Sequence, residues 1–168
     1  MLETNIIVIN TAPLISIIAA IGDLRILQSL YTQVLVPFEV CQEILAGGAS
    51  GFAVSEFEDA DWLQKSQMPL TNISPFLLNS LDLGESSVIQ LALNENIQTV
   101  CIDESAGRRV ARLSGLSITG TIGILLRAHR EGYPIDIKQA IDRMIARGIR
   151  LSETIINFAL QQTGEIDP

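Results

Sequence analysis

The sequence predicts an α/β fold: a three-layer α/β/α sandwich around a mostly parallel central sheet of four to five strands. Three observations lead there. Short runs rich in β-branched residues alternate with longer stretches of helical periodicity, as they do in chains of βαβ units. The runs Ile6–Ile9, Val34–Val36 and Thr99–Ile102 are almost continuously apolar, as strands covered on both faces are. The 168 residues, 48% of them hydrophobic, are enough for one sizeable core. Residues 1–168 therefore read as a single domain, with no internal repeat, low-complexity tract or long linker.

Ile6–Ile9 is the first strand. Thr11-Ala-Pro13 then opens a helix, with Pro near its first position. A second helix covers roughly Asp23–Tyr31, with Asp23 placed to cap it. Val34–Val36 is the second strand, and Pro37 starts a helix that ends near Gly47 and Gly48. Residues 49–61 are acidic and admit one more short helix; Trp62–Lys65 reads as an edge strand, and 67–80 as a loop or irregular connection. Asp82-Leu-Gly-Glu85 has the form of a capping box, and Val88, Ile89, Ala92 and Leu93 continue at helical spacing. Thr99–Ile102 is the third strong strand and runs into Asp103-Glu104, after which Ser105 is a candidate cap for a helix reaching Gly115. Leu116–Ile118 is a short strand, and Thr119-Gly-Thr121 leads into a helix that ends at Gly132. Ile137, Ala140, Ile141, Met144 and Ile145 mark an amphipathic helix stopped by Gly148; Leu151, Ile155, Phe158 and Ala159 mark the last one.

Composition removes several classes of function. His129 is the only histidine, which argues against a His-based triad or a zinc hydrolase. It lies near a helix C-terminus, where it can favour the dipole and stay solvated. Cys41 and Cys101 are far apart in apolar surroundings and read as buried, reduced thiols. The longest apolar stretch, Ile6–Ile21, is interrupted by Asn10, Thr11, Pro13 and Ser16; it falls short of the ~20 apolar residues of a spanning helix. A basic leader and a cleavage site are also lacking, so the expectation is a cytoplasmic protein without membrane contact. No G-x-G-x-x-G follows a strand, and Gly47-Gly48 lacks the lysine of a phosphate loop.

The net charge is −8, unevenly spread: residues 1–107 hold 2 basic and 13 acidic groups, residues 108–168 hold 9 and 6. Such clustering of basic groups suits a phosphate-binding face, although solvated helix faces would give the same pattern. Aromatic residues are 5% of the chain and do not interleave with basic ones, so base stacking is not indicated.

The strongest functional signal is acidic. Glu43, Glu85, Asp103 and Glu104 fall just past strand-like runs or on the helices that follow, and Asn10 directly follows the first strand. In an open α/β sheet, ligands bind at the carboxyl ends of the strands. Two unit charges about 4 Å apart repel by roughly 4 kcal/mol at an effective dielectric of 20. Converging carboxylates therefore call for a counter-ion or raised pKa values, and a hard divalent cation meets that need. Each residue also has a plainer reading. Glu43 suits a solvated helix edge, Glu85 can close the capping box with Asp82, and Asp103-Glu104 suits a solvated turn.

The ordered set Ile9-Asn-Thr-Ala-Pro-Leu14, Val36-Pro-Phe-Glu-Val-Cys-Gln-Glu43, Leu81-Asp-Leu-Gly-Glu85 with Ile89-Gln-Leu-Ala92, Ile102-Asp-Glu-Ser-Ala-Gly-Arg-Arg109 and Thr119-Gly-Thr-Ile-Gly-Ile-Leu125 resembles PIN domain proteins. Within them it is most similar to the predicted nucleic-acid-binding branch related to VapC-type toxins; Gly148-Ile-Arg-Leu-Ser152 and Gly164-Glu165 also fit. The resemblance implies a PIN-like sandwich and a Mg²⁺- or Mn²⁺-dependent ribonuclease acting on RNA. It also implies a small antitoxin partner and a homo-oligomer, commonly a dimer. By position, Glu43, Glu85 and Asp103 match the acidic metal ligands, Glu104 stands where a second acid often follows, and Thr11 matches a Ser/Thr beside the first acid. Asn10 stands where the family usually has its first Asp, and an amide oxygen donates without negative charge.

Arg108, Arg109 and Arg112 follow the acidic strand end and can hold RNA phosphates. Thr119 and Thr121 flank a helix start that can bind an anion through backbone N–H groups, or equally serve as a cap that lets helix and strand pack closely. Arg143, Arg147 and Arg150 form a further basic cluster. Two functions are expected from this sequence: a PIN-type endoribonuclease, or, because of Asn10, a catalytically impaired PIN-like module that binds RNA or protein.

Overall fold

The computed structural model describes residues 5–47 and 50–164. Gly48 and Glu165, named above, lie outside the described residues. Five strands form one sheet in the order β3-β2-β1-β4-β5, and every neighbouring pair is parallel. They are β1 (Ile6–Ile9), β2 (Gln33–Val36), β3 (Gln64–Lys65), β4 (Thr99–Cys101) and β5 (Ser117–Thr119). The helices are α1 (Thr11–Ile21), α2 (Arg25–Leu30), α3 (Phe38–Ala46), α4 (Val54–Asp59), α5 (Pro75–Ser80), α6 (Leu83–Asn94), α7 (Ser105–Leu113), α8 (Thr121–Arg130), α9 (Ile137–Ala146) and α10 (Glu153–Gln162).

The chain builds β1, β2 and β3 in one direction, then returns past β1 to place β4 and β5 on its other side. Helices pack on the sheet and on one another across the two halves of the chain. α6 packs on β1 and β4, while α1 packs on α9, and α2 and α10 on α8. Ile7, Val8, Ile9, Val100, Cys101 and Ile102 are fully buried in the middle of the stack. Each large aliphatic side chain among them stabilises the fold by about 1.5–3 kcal/mol relative to exposure. The reversal of direction falls between β1 and β4, and the register Ile9↔Cys101 brings their carboxyl ends level. This is the crevice where open α/β sheets hold ligands.

Several local expectations are corrected. Residues 67–80 are not all irregular: Pro75–Ser80 is helical, with Ser74 Oγ accepting the Phe76 N–H. Pro75 occupies the first helical position, where its missing N–H costs nothing. The last strand runs Ser117–Thr119, one residue later than expected. The second helix begins at Arg25 with Leu24 in the cap position; Asp23 Oδ1 still takes the Arg25 N–H at 3.0 Å. Ser105 is the first residue of α7 and Glu104 sits at its cap position, without a side-chain capping bond.

Candidate metal centre

β1 ends in Asn10, whose N–H donates to the Cys101 carbonyl at 3.1 Å and fixes the residue against β4. Its side chain is turned inward. Asn10 is 6% exposed, and its Oδ1 is buried without a hydrogen-bond partner among the described residues. An orphaned buried carbonyl is costly, by about 1–3 kcal/mol, so its surroundings are informative. Thr11, the first residue of α1, is equally buried, and its Oγ1 also lacks a regular partner.

Gly84, in the first turn of α6, defines the centre of the crevice. A Cβ there would lie 2.6 Å from Glu43 Oε2, 3.3 Å from Asn10 Oδ1 and 3.6 Å from Asp82 Oδ1. Glycine leaves open the space where these three oxygens meet. Glu43 reaches it from α3, one turn past Glu39. The Glu39 carboxylate turns away and accepts the Leu70 N–H at 2.9 Å. That removes the like-charge neighbour expected beside Glu43. Partial desolvation raises the Glu43 pKa, the Thr11 hydroxyl opposes the rise, and Asp82 adds to it.

Glu85 is 4% exposed. The expected capping box is half formed: Asp82 Oδ1 accepts the Glu85 N–H at 2.8 Å. Among the described residues, Glu85 makes no return bond to the cap. Its carboxylate instead enters the crevice towards α7, with Oε2 3.4 Å from where a Cβ on Gly107 would stand. Burial raises its pKa to about 7, and the charges of Asp82, Glu104 and Glu43 add to the rise.

Asp103 faces elsewhere. Its Oδ1 accepts the Thr121 N–H at 2.8 Å and its Oδ2 the Thr121 hydroxyl at 2.7 Å. The anion held by the N-terminus of α8 is thus Asp103 itself. Thr121 is 2% exposed, its hydroxyl committed to that bond. Gly120 is needed alongside, since a Cβ would come within 2.8 Å of both Asp103 Oδ1 and Arg108 Nη1. Arg108 Nη1 also donates to the Ile102 carbonyl at 2.9 Å. Arg109 and Arg112 are exposed on α7, and Thr119 is half-buried at the end of β5. Arg147 stacks on Phe52, 3.7 Å from the ring centre. Arg150 lines a cavity of about 850 Å³ that also borders Asp103, Glu104 and Arg108.

Asn10, Thr11, Glu43, Glu85 and Glu104 therefore converge, and Asp103 adjoins them with its oxygens turned towards Thr121. Asp82 belongs to the same cluster and was read in the sequence only as a cap. Nothing in its spacing separates the two roles.

Residues 6–165 match a family model described as the PIN domain, and the chain belongs to that family. The fold is of the nuclease type, and PIN domains generally use divalent metals. No curated protein and no solved structure matches the chain significantly. No helix among the described residues is long and apolar enough to cross a membrane. The donors fit a hard cation in kind, being all oxygen. They do not form a ready-made acidic cage: among the described residues, no three Asp, Glu, His or Cys side chains are grouped to hold one ion. The orphaned Asn10 carbonyl is one further oxygen, beside the Glu43 carboxylate.

Proposed function

We propose that this protein is a metal-dependent endoribonuclease that hydrolyses RNA phosphodiesters with Mg²⁺ or Mn²⁺. The observation that carries the reading is the buried, unpaired Asn10 Oδ1 facing the Glu43 carboxylate in the crevice between β1 and β4. Asn10, Glu43 and Glu85 would hold the ion, with Glu104 beside them, and Asp103, whose oxygens are turned towards Thr121, would add negative charge at the edge of the crevice. When bound, such an ion supplies Lewis acidity to a phosphodiester oxygen and to water. Glu43 and Glu85 provide the negative charge that attracts it. Thr121 fixes Asp103, and the Ile102 carbonyl restrains Arg108 next to it. Arg109 and Arg112 are free of such bonds among the described residues and present charge to the RNA backbone. In this reading the protein is a toxin, or a relative of one, held in check by a small antitoxin and acting as a homodimer in the cytoplasm.

The test is cleavage of RNA by purified protein with Mn²⁺, alongside Glu43→Gln and Asp103→Asn. Cleavage that both substitutions abolish is the expected result. Absence of cleavage, or cleavage indifferent to both, refutes it. One observation favours a second reading, a catalytically impaired module that binds RNA or protein: the neutral amide at the tip of β1. Asn10→Asp separates the two, because it restores cleavage in an enzyme lacking only that charge.

A further inference from the structure

We propose that Asp82 is a cation ligand of this chain as well as a helix cap, and that it supplies the negative charge that Asn10 does not. The inference rests on the metal-dependent reading above and goes beyond it in assigning this residue. Three side-chain oxygens surround the vacant Cβ position of Gly84: Glu43 Oε2, Asn10 Oδ1 and Asp82 Oδ1. Each pair is separated by no more than the sum of its two distances, 6.9 Å at most. The three come from different elements: the end of β1, α3, and the cap of α6. Only Asn10 is deeply buried, and it alone has an oxygen that is both buried and without a partner.

The chemistry of the three is complementary. Glu43 and Asp82 carry two negative charges between them, which balance one divalent cation. The Asn10 carbonyl adds a neutral oxygen of the kind hard ions accept. Capping does not exhaust Asp82. Its Oδ1 takes one hydrogen bond, from the Glu85 N–H, and its Oδ2 takes none among the described residues. Both carboxylates are on exposed residues, so an ion can arrive from solvent and keep part of its water, as Mg²⁺ and Mn²⁺ prefer.

Asp82→Asn is the discriminating substitution, because Asn caps a helix as well as Asp does and removes only the charge. Mn²⁺ binding is measured by titration calorimetry on the full chain and on Asp82→Asn, Asn10→Asp and the double variant, with thermal melting of each. Asp82→Asn is expected to weaken Mn²⁺ binding by about 10- to 100-fold, as loss of an oriented ligand-shell group does, while the metal-free protein melts no lower than the native chain. The double variant, which returns the charge from the other side of the same pocket, is expected to recover binding to within about threefold of the native chain. Asp82→Ser, a second capping residue, should behave like Asp82→Asn. Equal affinity of the native chain and Asp82→Asn overturns the assignment of Asp82 alone. Weakening without recovery in the double variant overturns the charge-replacement argument. No Mn²⁺ binding by the native chain overturns the metal-dependent reading, and this inference with it.

Discussion

Gly84→Ala separates the geometry of the site from the stability of the fold. The added Cβ would stand 2.6 Å from Glu43 Oε2, about 0.8 Å inside the 3.4 Å at which ordinary contact begins. The next atoms, Asn10 Oδ1 at 3.3 Å and Asp82 Oδ1 at 3.6 Å, need almost no adjustment. Glu43 Oε2 is the far end of a flexible side chain on an exposed residue, so it yields by rotating out of the crevice and the backbone stays in place. Alanine in a helix is favoured over glycine by roughly 0.5–1 kcal/mol. That offsets the cost of moving one carboxylate, and the melting temperature should hold or rise slightly. A misplacement of about 1 Å in a reacting constellation can cost on the order of 100-fold in rate. RNA cleavage with Mn²⁺, followed on a fluorescent oligonucleotide, should fall by about that factor. Native-level cleavage in a stably folded Gly84→Ala protein refutes the placement of Glu43 in the site. A marked drop in melting temperature refutes the claim that only a side chain has to move.

Glu85 gives a pH prediction. Its folded pKa of about 7 lies above its ordinary 4.5, so the folded state binds its proton more tightly than the unfolded chain does. The resulting stability is fully present below about pH 4.5 and is lost as pH rises through 7, with an upper bound of about 3 kcal/mol. Urea titrations between pH 4.5 and 8 on metal-free protein should show this decline, and Glu85→Gln should flatten it; an unchanged slope in the variant excludes Glu85 as its source. Thr121→Val removes the 2.7 Å bond to Asp103 Oδ2 and leaves the backbone N–H bond intact. A hydrogen bond to a charged group contributes about 1.5–3 kcal/mol, so the urea midpoint and the cleavage rate should both drop. An unaltered midpoint shows that the hydroxyl does not hold Asp103. Arg109→Ala with Arg112→Ala should lower the slope of log K against log salt for single-stranded RNA by about 1.4, or 0.7 per phosphate contact. A slope that does not move removes α7 from the RNA interface.

The fold was legible where burial on both faces writes itself into the sequence. β1, β2 and β4 are short, nearly unbroken apolar runs because helices cover them on each side. α5 was less legible, and β3, read as an edge strand over Trp62–Lys65, spans only Gln64–Lys65. β3 is a two-residue edge strand with little to bury. In α5 the start signals, Ser74 and Pro75, are also loop signals. The site divided in the same way. Glu43 and Glu85 could be placed near the strand ends from element order alone. Whether Asp103 faces them depended on Thr121, 18 positions further on, whose two bonds turn it aside. Asp82 was hidden for another reason: the capping rule already accounts for an Asp at that position, so its nearness to Glu43 left no separate mark.

On the proposed metal-dependent reading, a neutral residue at position 10 has an electrostatic rationale. Glu85 is already driven to about 7 by burial and by Asp82, Glu104 and Glu43. One more carboxylate beside Glu43 would add like-charge repulsion of several kcal/mol at a buried position. The metal-free fold would pay that in stability, or by raising the Glu43 and Glu85 pKa values further. An amide avoids the repulsion and keeps an oxygen at the proposed ion position, at the expense of charge-driven affinity. Asn10→Asp should therefore destabilise the protein without metal and stabilise it more than the native chain at saturating Mn²⁺. The two melting curves should cross as the ion is titrated in. A variant less stable than the native chain at every Mn²⁺ concentration shows that position 10 does not face the cation.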